Sequence, residues 1–283
     1  MTLHAGARAL LDRFACPLCR KPVVEDGDGL RCTGCGTRFP IVAGIPDLRP
    51  EDARNKPEFS DWTRHWGHAN QELFSQKFFS LYRKQVFART VAWFIGRFFP
   101  ERGVFVEAGS GTAETSMRID KRGGARVLVA ADIIVPVLQQ VHPVMDVKVG
   151  ADNFRLPFGD AKVDGLWNVG VMEHFTHELI DAMLREFHRV LAPGAPILLL
   201  WPATDSLPQK GLRLVERFYN RKAGPGEKFQ FHPDEISKLT SSEEGRDVLI
   251  RNGFEPVFVD GGLRSLMAFK TVVGRKPTLP ANG

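Results

Sequence analysis

Two rhythms of hydrophobic positions divide this chain. From residue 59 to 98 aromatic side chains recur at largely helical intervals, among them Phe59, Trp62, Trp66, Phe74, Phe78, Tyr82, Phe87, Trp93, Phe94 and Phe98. That spacing predicts helices that lay an apolar face on a core. From residue 104 the pattern changes to short apolar runs, each stopped by a polar or glycine-rich turn. Val104–Val106 runs into the string EAGSGTA at 107–113, Arg126–Ala131 ends at Asp132, and 165–170 ends at Gly170. Serial runs of this kind predict buried strands of an α/β sheet, with their turns available to a ligand. The stretch 50–57 is polar and bounded by Pro50 and Pro57, the composition of a linker, and 277–283 reads as a frayed tail.

The first run opens on a turn where side chains are nearly absent, so that backbone can touch a ligand there. A structural turn between strand and helix also needs glycines, and the string alone leaves both readings open. Asp132 narrows the choice. It stands about 20 residues after the glycines, where doubly wound folds place the carboxylate that grips ribose hydroxyls. A dinucleotide site shares these two features. A triphosphate site does not, because the turn lacks the G-x-x-x-x-G-K-[ST] pattern and its lysine.

The third block is Asp152-Asn153, followed by Leu156-Pro157-Phe158, Asp160 and Val163-Asp164. Together the three blocks resemble the class I S-adenosylmethionine-dependent methyltransferases. The later string LREFHRVLAPGAPILLLWP at 184–202 is similar to that family's helix-turn-strand step, which a dehydrogenase has no reason to carry, and Asn252-Gly253-Phe254 resembles the turn before its last strands. The resemblance implies a doubly wound Rossmann-like sheet with S-adenosyl-L-methionine as cofactor. It implies that Gly109 and Gly111, with Ser110 between them, pass close to the cofactor's amino-acid portion, and that Glu107 lies near its ammonium group. Asp132, followed by Ile133, would hold both ribose hydroxyls; Asp152 would accept the adenine amine, and Asn153 would offer its backbone amide to the ring. Asn168 and Val169 would flank the methionine end. Where the family has a third loop glycine this chain has Ala113, which narrows the backbone angles open to that position.

All four cysteines fall in one segment, as Cys16-Pro17-Leu18-Cys19 and Cys32-Thr33-Gly34-Cys35. Each C-x2-C pair forms a tight turn that aims two thiolates at one point, and two such turns facing each other build a closed tetrahedral site for a structural Zn2+. Gly34 and Gly36 are expected to supply positive backbone angles in the second turn. Two disulfides or a redox dithiol are the other readings; a cytoplasmic chain disfavours the first, and the second leaves one pair unexplained. The stretch Thr37–Arg49 resembles the end of the small zinc-ribbon-like domains that activate tRNA, rRNA and protein methyltransferases as separate subunits. The resemblance implies such a module fused ahead of its enzyme. The expected organisation is a zinc-ribbon-like domain at 1–50, a linker and aromatic helical lid at 51–103, and a methyltransferase domain at 104–283 with an insertion at 203–233. Trp62, Trp66 and Tyr82 are the candidates for the lid.

At 283 residues, 43% apolar and 25% charged, the chain can bury a full core and a small appended domain. No run approaches the roughly 20 apolar residues of a membrane helix and no signal-peptide core opens the sequence, so a cytoplasmic protein without a transmembrane segment is expected. The net charge of +5 suits an anionic substrate, yet it is modest for this length and does not identify nucleic acid. The insertion carries Lys210, Arg213, Arg217, Arg221, Lys222 and Lys228 against Glu216 and Glu227. That is either a solvated helix face or a clamp for a phosphate or carboxylate. A further helix is expected to start near Asp234.

Val171–Phe175 is expected to open a helix that runs through Leu191, with Glu173 and His174 as catalytic candidates. His174 is read as a general base or orienter for a substrate hydroxyl, or else as one of a polar pair at a helix start. Similar strings occur in the ubiquinone-biosynthesis O-methyltransferases, where a Glu three residues before the first completes a divalent-metal site. That position is Gly170 here, and one Glu with one His is a poor cage for magnesium. His177 and His188 are read as ordinary surface or core histidines. Three functions follow for an acceptor of unknown class. The first is methylation of a small molecule, sugar or lipid-linked intermediate. The second is methylation of RNA, since large-subunit rRNA guanine methyltransferases also place a cysteine-rich zinc module before a class I domain. The third is a cofactor-binding subunit without activity. No arginine-rich strip is interleaved with aromatics around the cysteines, and no N-P-P-[YF] string follows the fourth strand, which weighs against RNA.

Overall fold

The computed structural model describes residues 2–54, 83–202, 220–222, 236–261, 264 and 269–278. The expected lid residues Trp62, Trp66 and Tyr82, the helix start near Asp234 and all but 220–222 of the basic insertion lie outside the described residues.

The chain begins with α1 (Ala5–Arg8), whose first turn is capped by the His4 imidazole accepting from the Gly6 amide. Four short strands follow as an antiparallel meander in sequence order: β1 (Val23–Asp26), β2 (Gly29–Cys32), β3 (Arg38–Val42) and β4 (Ile45–Pro46). In β3 only Phe39 and Ile41 are buried, the alternation expected of a sheet with one wet face. The β1–β2 turn is two residues with Gly27 in the left-handed region at φ +65°. Pro50–Arg54, read from composition as linker, instead carries a one-turn helix, α2 (Glu51–Arg54). It persists because Arg54 donates to the Asp47 carbonyl and Asp52 pairs with Arg155, contacts that composition does not disclose.

A second, larger sheet fills the rest. Its strands are β5 (Gly103–Ala108), β6 (Arg126–Asp132), β7 (Val147–Gly150), β8 (Gly165–Val169), β9 (Pro196–Pro202), β10 (Glu255–Asp260) and β11 (Phe269–Arg275), in spatial order β10-β11-β9-β8-β5-β6-β7. β7, β6, β5, β8 and β9 run parallel, while β11 and β10 add an antiparallel edge. The order reverses between β5 and β8, where open α/β sheets form a crevice. The continuous apolar runs are explained by burial on both faces: every residue of β9 and all but one of β6 are buried.

One face carries Phe105, Leu128, Trp167, Leu198 and Leu200 against α3 (Ala88–Phe98), which presents Val91, Phe94 and Ile95 at helical spacing. A π-turn at Arg83–Phe87 leads into α3, and α4 (Val135–Leu138) packs on the same side. The other face is covered by α5 (His177–Val190) through Ile180, Met183, Leu184 and Phe187, and by α6 (Ser242–Arg251). The N-terminal meander is part of that same core. Phe14, Leu30, Phe39 and Leu48 form one buried cluster with Val129, Val147 and Val149 of the large sheet and with Phe158 of the segment between β7 and β8. Backbone bonds stitch the two together: Ala15 N donates to Pro157 O, Gly159 N to Arg13 O and Leu48 N to Gly150 O, and Asp47 makes a parallel bridge to Gly150 at the β7 edge.

The helix expected from 171 to 191 is broken. Met172–His174 form a 3-10 turn, Phe175 is extended, and α5 begins only at His177. Phe175 leaves the helical path to set its ring edge-on to Phe154 at 5.4 Å, and Thr176 takes the extended cap position from which a new helix starts.

Candidate cofactor and acceptor site

The C-terminal ends of β5, β6, β7 and β8 converge. The loop after β5 holds Gly109 at φ +73°, Gly111 at φ +51° and Ala113 at φ +54°, so the alanine at the third position sits in the left-handed region that favours glycine. The loop is pinned to β6, because the amides of Gly109 and Ser110 both donate to the Ala131 carbonyl. A side chain at Gly109 would meet Val171 at 2.6 Å and Asn153 at 3.4 Å, so the loop lies directly against the ends of the neighbouring segments.

Asp132 closes β6 and is 7% exposed. Its carboxylate accepts from the Gly111 amide at 2.7 Å and the Ile134 amide at 2.8 Å. Burial pushes this carboxyl up; the Ile134 and Gly111 amides and the positive charge of Arg49 oppose it. Ile133, the next residue, gives its carbonyl to Arg49 Nη1 at 2.7 Å, while the same guanidinium grips Asp47 through two bonds of 2.7 Å. Asp152 is buried beyond β7 and linked to β6 by the Ala151 amide donating to Asp132 O. Its carboxylate accepts from Phe154 N at 3.0 Å and from Arg155 at 3.3 Å. Asn168 on β8 is fully buried and donates its amide to Ala108 O; Val169 follows it at the strand end.

Among the described residues, three buried polar atoms around this crevice have no hydrogen-bond partner: Asn153 Oδ1, Asn168 Oδ1 and Thr112 Oγ1. Buried acceptors of this kind cost free energy unless something satisfies them. A ligand bearing amine and hydroxyl donors fits that need. Two carboxylates about one strand apart add acceptors of the same type, and the glycines leave room for close approach of a ligand.

Glu107 lies at the end of β5, just ahead of the glycine loop. Its carboxylate turns inward and accepts the hydroxyls of Thr115 at 3.1 Å and Ser116 at 2.8 Å, and Ser116 in turn accepts from Trp167 Nε1. The residue thus fixes the short 3-10 turn Glu114–Ser116 that follows the glycine loop.

Past β8, Glu173 and His174 sit on the 3-10 turn, both largely buried, with His174 Nε2 at 3.8 Å from Glu173 Oε1. The Glu173 carbonyl accepts the amides of Ile236 and Ser237, which anchors this turn to the later chain. Gly170 is at φ +67°, and a side chain there would come within 3.4 Å of Glu173 Oε1. No second carboxylate stands at that position, and its left-handed backbone disfavours a side chain there. Among the described residues the one cluster able to hold a metal is the four cysteines.

Their sulfurs all lie within 4.8 Å of one another. The two turns are built alike: Arg20 N donates to Cys16 O and Gly36 N to Cys32 O, with Arg20 at φ +62° and Gly36 at φ +74°. Gly34 is not left-handed, contrary to expectation. It is glycine because a side chain would strike Lys21 at 2.6 Å and approach Cys19 Sγ to 3.4 Å. The amides of Gly34 and Cys35 point at Cys32 Sγ, as donors to a thiolate do. Four convergent thiols with amide donors fit a closed tetrahedral Zn2+ site that has no open position for chemistry.

Arg49, Asp47, Asp52 and Arg155 were not singled out in the sequence. Asp52 and Arg155 are separated by 103 residues, so no local spacing could have joined them.

Residues 105–194 match the family described as methyltransferase domain, and residues 8–44 match the family described as Trm112p-like protein. A UPF0434 protein of Stutzerimonas stutzeri (strain A1501) is 45% identical over 47 residues, which cover 16% of this chain and 77% of that protein. Among solved structures, 1,6-didemethyltoxoflavin-N1-methyltransferase of Burkholderia thailandensis, with bound 1,6-didemethyltoxoflavin and S-adenosylhomocysteine, aligns at TM-score 0.52 and 16% identity over 91% of this chain and 99% of that one. A complex of the Haloferax volcanii Trm112 methyltransferase activator with a methyltransferase aligns at TM-score 0.51 and 16% identity, over 78% of this chain and 97% of that chain. At these identities the structural likeness concerns the fold.

Proposed function

We propose that this chain, in which a Trm112p-like domain precedes a methyltransferase domain, methylates a small-molecule, sugar or lipid-linked acceptor with S-adenosylmethionine as donor. The observation that carries the cofactor reading is the convergence of two buried carboxylates, Asp132 and Asp152, with the unpartnered Asn153 Oδ1, Asn168 Oδ1 and Thr112 Oγ1 on one glycine-lined crevice. Asp132 would accept the ribose hydroxyls, each of its oxygens keeping a lone pair after the amide bond it already takes. Asp152 would accept the adenine amine, with the Asn153 amide beside the ring. Gly109, Ser110 and Gly111 would border the amino-acid portion, Asn168 and Val169 the methionine end, and Glu107 is assigned to holding the loop in shape.

The cofactor supplies an electrophilic methyl on a sulfonium, so the protein has little covalent chemistry to perform. Its residues bind, orient and exclude water, bringing the acceptor atom to about 3 Å from the methyl in line with the breaking bond. His174, on the turn after β8 with Glu173 beside it, would take a proton from an acceptor hydroxyl onto its imidazole. A small acceptor is favoured over RNA because most arginines of the zinc module already face a carboxylate: Arg8 pairs with Glu25, Arg49 with Asp47, and Arg31 and Arg38 share Asp26. A phosphate-tracking surface needs cations that are not so occupied.

The test is incubation with methyl-labelled S-adenosylmethionine and a cell extract, followed by separation of RNA, protein, lipid and small-molecule fractions. Label among small molecules or lipids is the expected result, and label confined to RNA overturns the acceptor class. Calorimetry with S-adenosylhomocysteine tests the donor separately; no binding would end the methyltransferase reading. Once the acceptor is known, full turnover by His174→Ala would remove the base.

A further inference from the structure

The segment that leaves the zinc module passes over the ends of β6 and β7 and is built into the crevice. Asp47 and Leu48 pair with Gly150, Arg49 locks Asp47, and Arg54 returns to the Asp47 carbonyl at 3.2 Å. Helix α2 is therefore held in a fixed place, and its Asp52 projects toward Arg155. There the Nη2 atom of Arg155 lies between two carboxylates, at 2.6 Å from Asp52 Oδ2 and 3.3 Å from Asp152 Oδ2. The pairing is unequal. Asp52 holds the guanidinium closely and Asp152 holds it at the limit of a hydrogen bond.

We propose that Asp52 is a positioning residue which, by drawing Arg155 away from Asp152, leaves the Asp152 carboxylate able to select adenine through its amine. The proposal rests on the S-adenosylmethionine reading above. A guanidinium is a charged donor and forms a stronger bond to a carboxylate than a neutral ring amine does. If Asp52 is neutral, Arg155 has Asp152 as its one charged partner in this triad and closes on it, so that the adenine amine must compete for the same oxygen. The route from Asp52 to Asp152 runs through the Arg155 guanidinium.

The experiment compares binding of S-adenosylhomocysteine with binding of S-inosylhomocysteine, which carries an oxygen where adenine has its amine, in the full-length zinc-loaded protein. Asp52→Asn is expected to lower the preference for the adenine ligand by about three- to fivefold, the range a half-exposed ion pair can supply. The side chain is 61% exposed, so zinc content should be that of the parent and Tm within about 4 °C of it. A purely structural contribution would weaken both ligands alike and leave their ratio unchanged. In an Arg155→Gln background Asp52→Asn should have no further effect on the ratio, because the element it restrains is gone. An unchanged ratio in Asp52→Asn, or an equal change with Arg155 already replaced, overturns the proposal while leaving the cofactor reading standing. A parent protein that binds S-adenosylhomocysteine but does not distinguish it from the inosine analogue removes the adenine role of Asp152, and the proposal with it. A parent that binds neither ligand overturns the cofactor reading itself.

Discussion

Replacing Phe14 by alanine should destabilise the large sheet, although Phe14 belongs to the zinc module. The ring is 2% exposed and meets Phe158, itself fully buried, at a centroid distance of 5.4 Å. Around it lie the backbone bonds Ala15 N to Pro157 O and Gly159 N to Arg13 O, so the two parts have no solvent layer to relax into. Truncating a buried phenylalanine in such a setting costs about 3–5 kcal/mol, the sum of lost transfer energy and the cavity left behind. For a chain of this size each kcal/mol moves Tm by about 2–4 °C, so a fall on the order of 6–20 °C is expected. Phe14→Leu keeps most of the volume and should lose only about 1 kcal/mol. The assay is urea unfolding with two readouts, tryptophan fluorescence and release of zinc to a chromophoric indicator. All five tryptophans lie outside the module, and Trp167 and Trp201 are buried in the large sheet. The tryptophan midpoint should fall together with the zinc midpoint. If zinc release shifts while the tryptophan midpoint stays within about 0.5 kcal/mol of the parent, the module is an independent appendage and the shared core argued above is wrong.

Two further outcomes are expected. Removing zinc with a chelator should lower Tm of the whole chain in a single transition, and at pH 7 alkylation mapped by mass spectrometry should then reach Cys35 first and Cys16 last: the Thr37 hydroxyl holds Cys35 down to about 6, whereas burial pushes Cys16 up to about 12. His188 packs edge-on to Phe254 at 5.1 Å, and burial, then the charge of Lys276, lowers its pKa. Folding therefore favours the neutral ring, so its contribution is present above the unfolded value near 6.5 and is lost as pH falls below it. His188→Gln should remove part of the drop in Tm between pH 7.5 and 5.5, and an identical drop in parent and variant would refute that assignment.

Much of the molecule was legible because its signals are local. Continuous apolar runs marked β5, β6, β8 and β9, since strands buried on both faces need no polar alternation. The glycine string, Asp132 and Asp152 were legible for the same reason: each belongs to one strand end, and parallel strands bring those ends together. The two C-x2-C turns needed nothing beyond themselves. What escaped depends on partners far along the chain. Composition made 50–54 a linker, yet its backbone is fixed by Gly150 and its Asp52 by Arg155. The partners of Glu107 escaped as well: only the fold shows Thr115 and Ser116 brought round to its carboxylate. Gly34 was expected to be glycine for its backbone angle and is glycine for space beside Lys21, a distinction that spacing cannot express. The continuous helix expected from 171 failed where Phe175 found Phe154, a contact between segments that no periodicity anticipates.

The bridge from Asp47 to Gly150 also bears on how the chain is made. An uncovered outer strand such as β7 presents a row of unsatisfied backbone groups that recruits other chains. Here the segment that covers it is translated before it, inside a module that zinc can close early. When β7 leaves the ribosome its cover is already waiting, so the order of synthesis itself shields the newborn sheet from aggregation on that side.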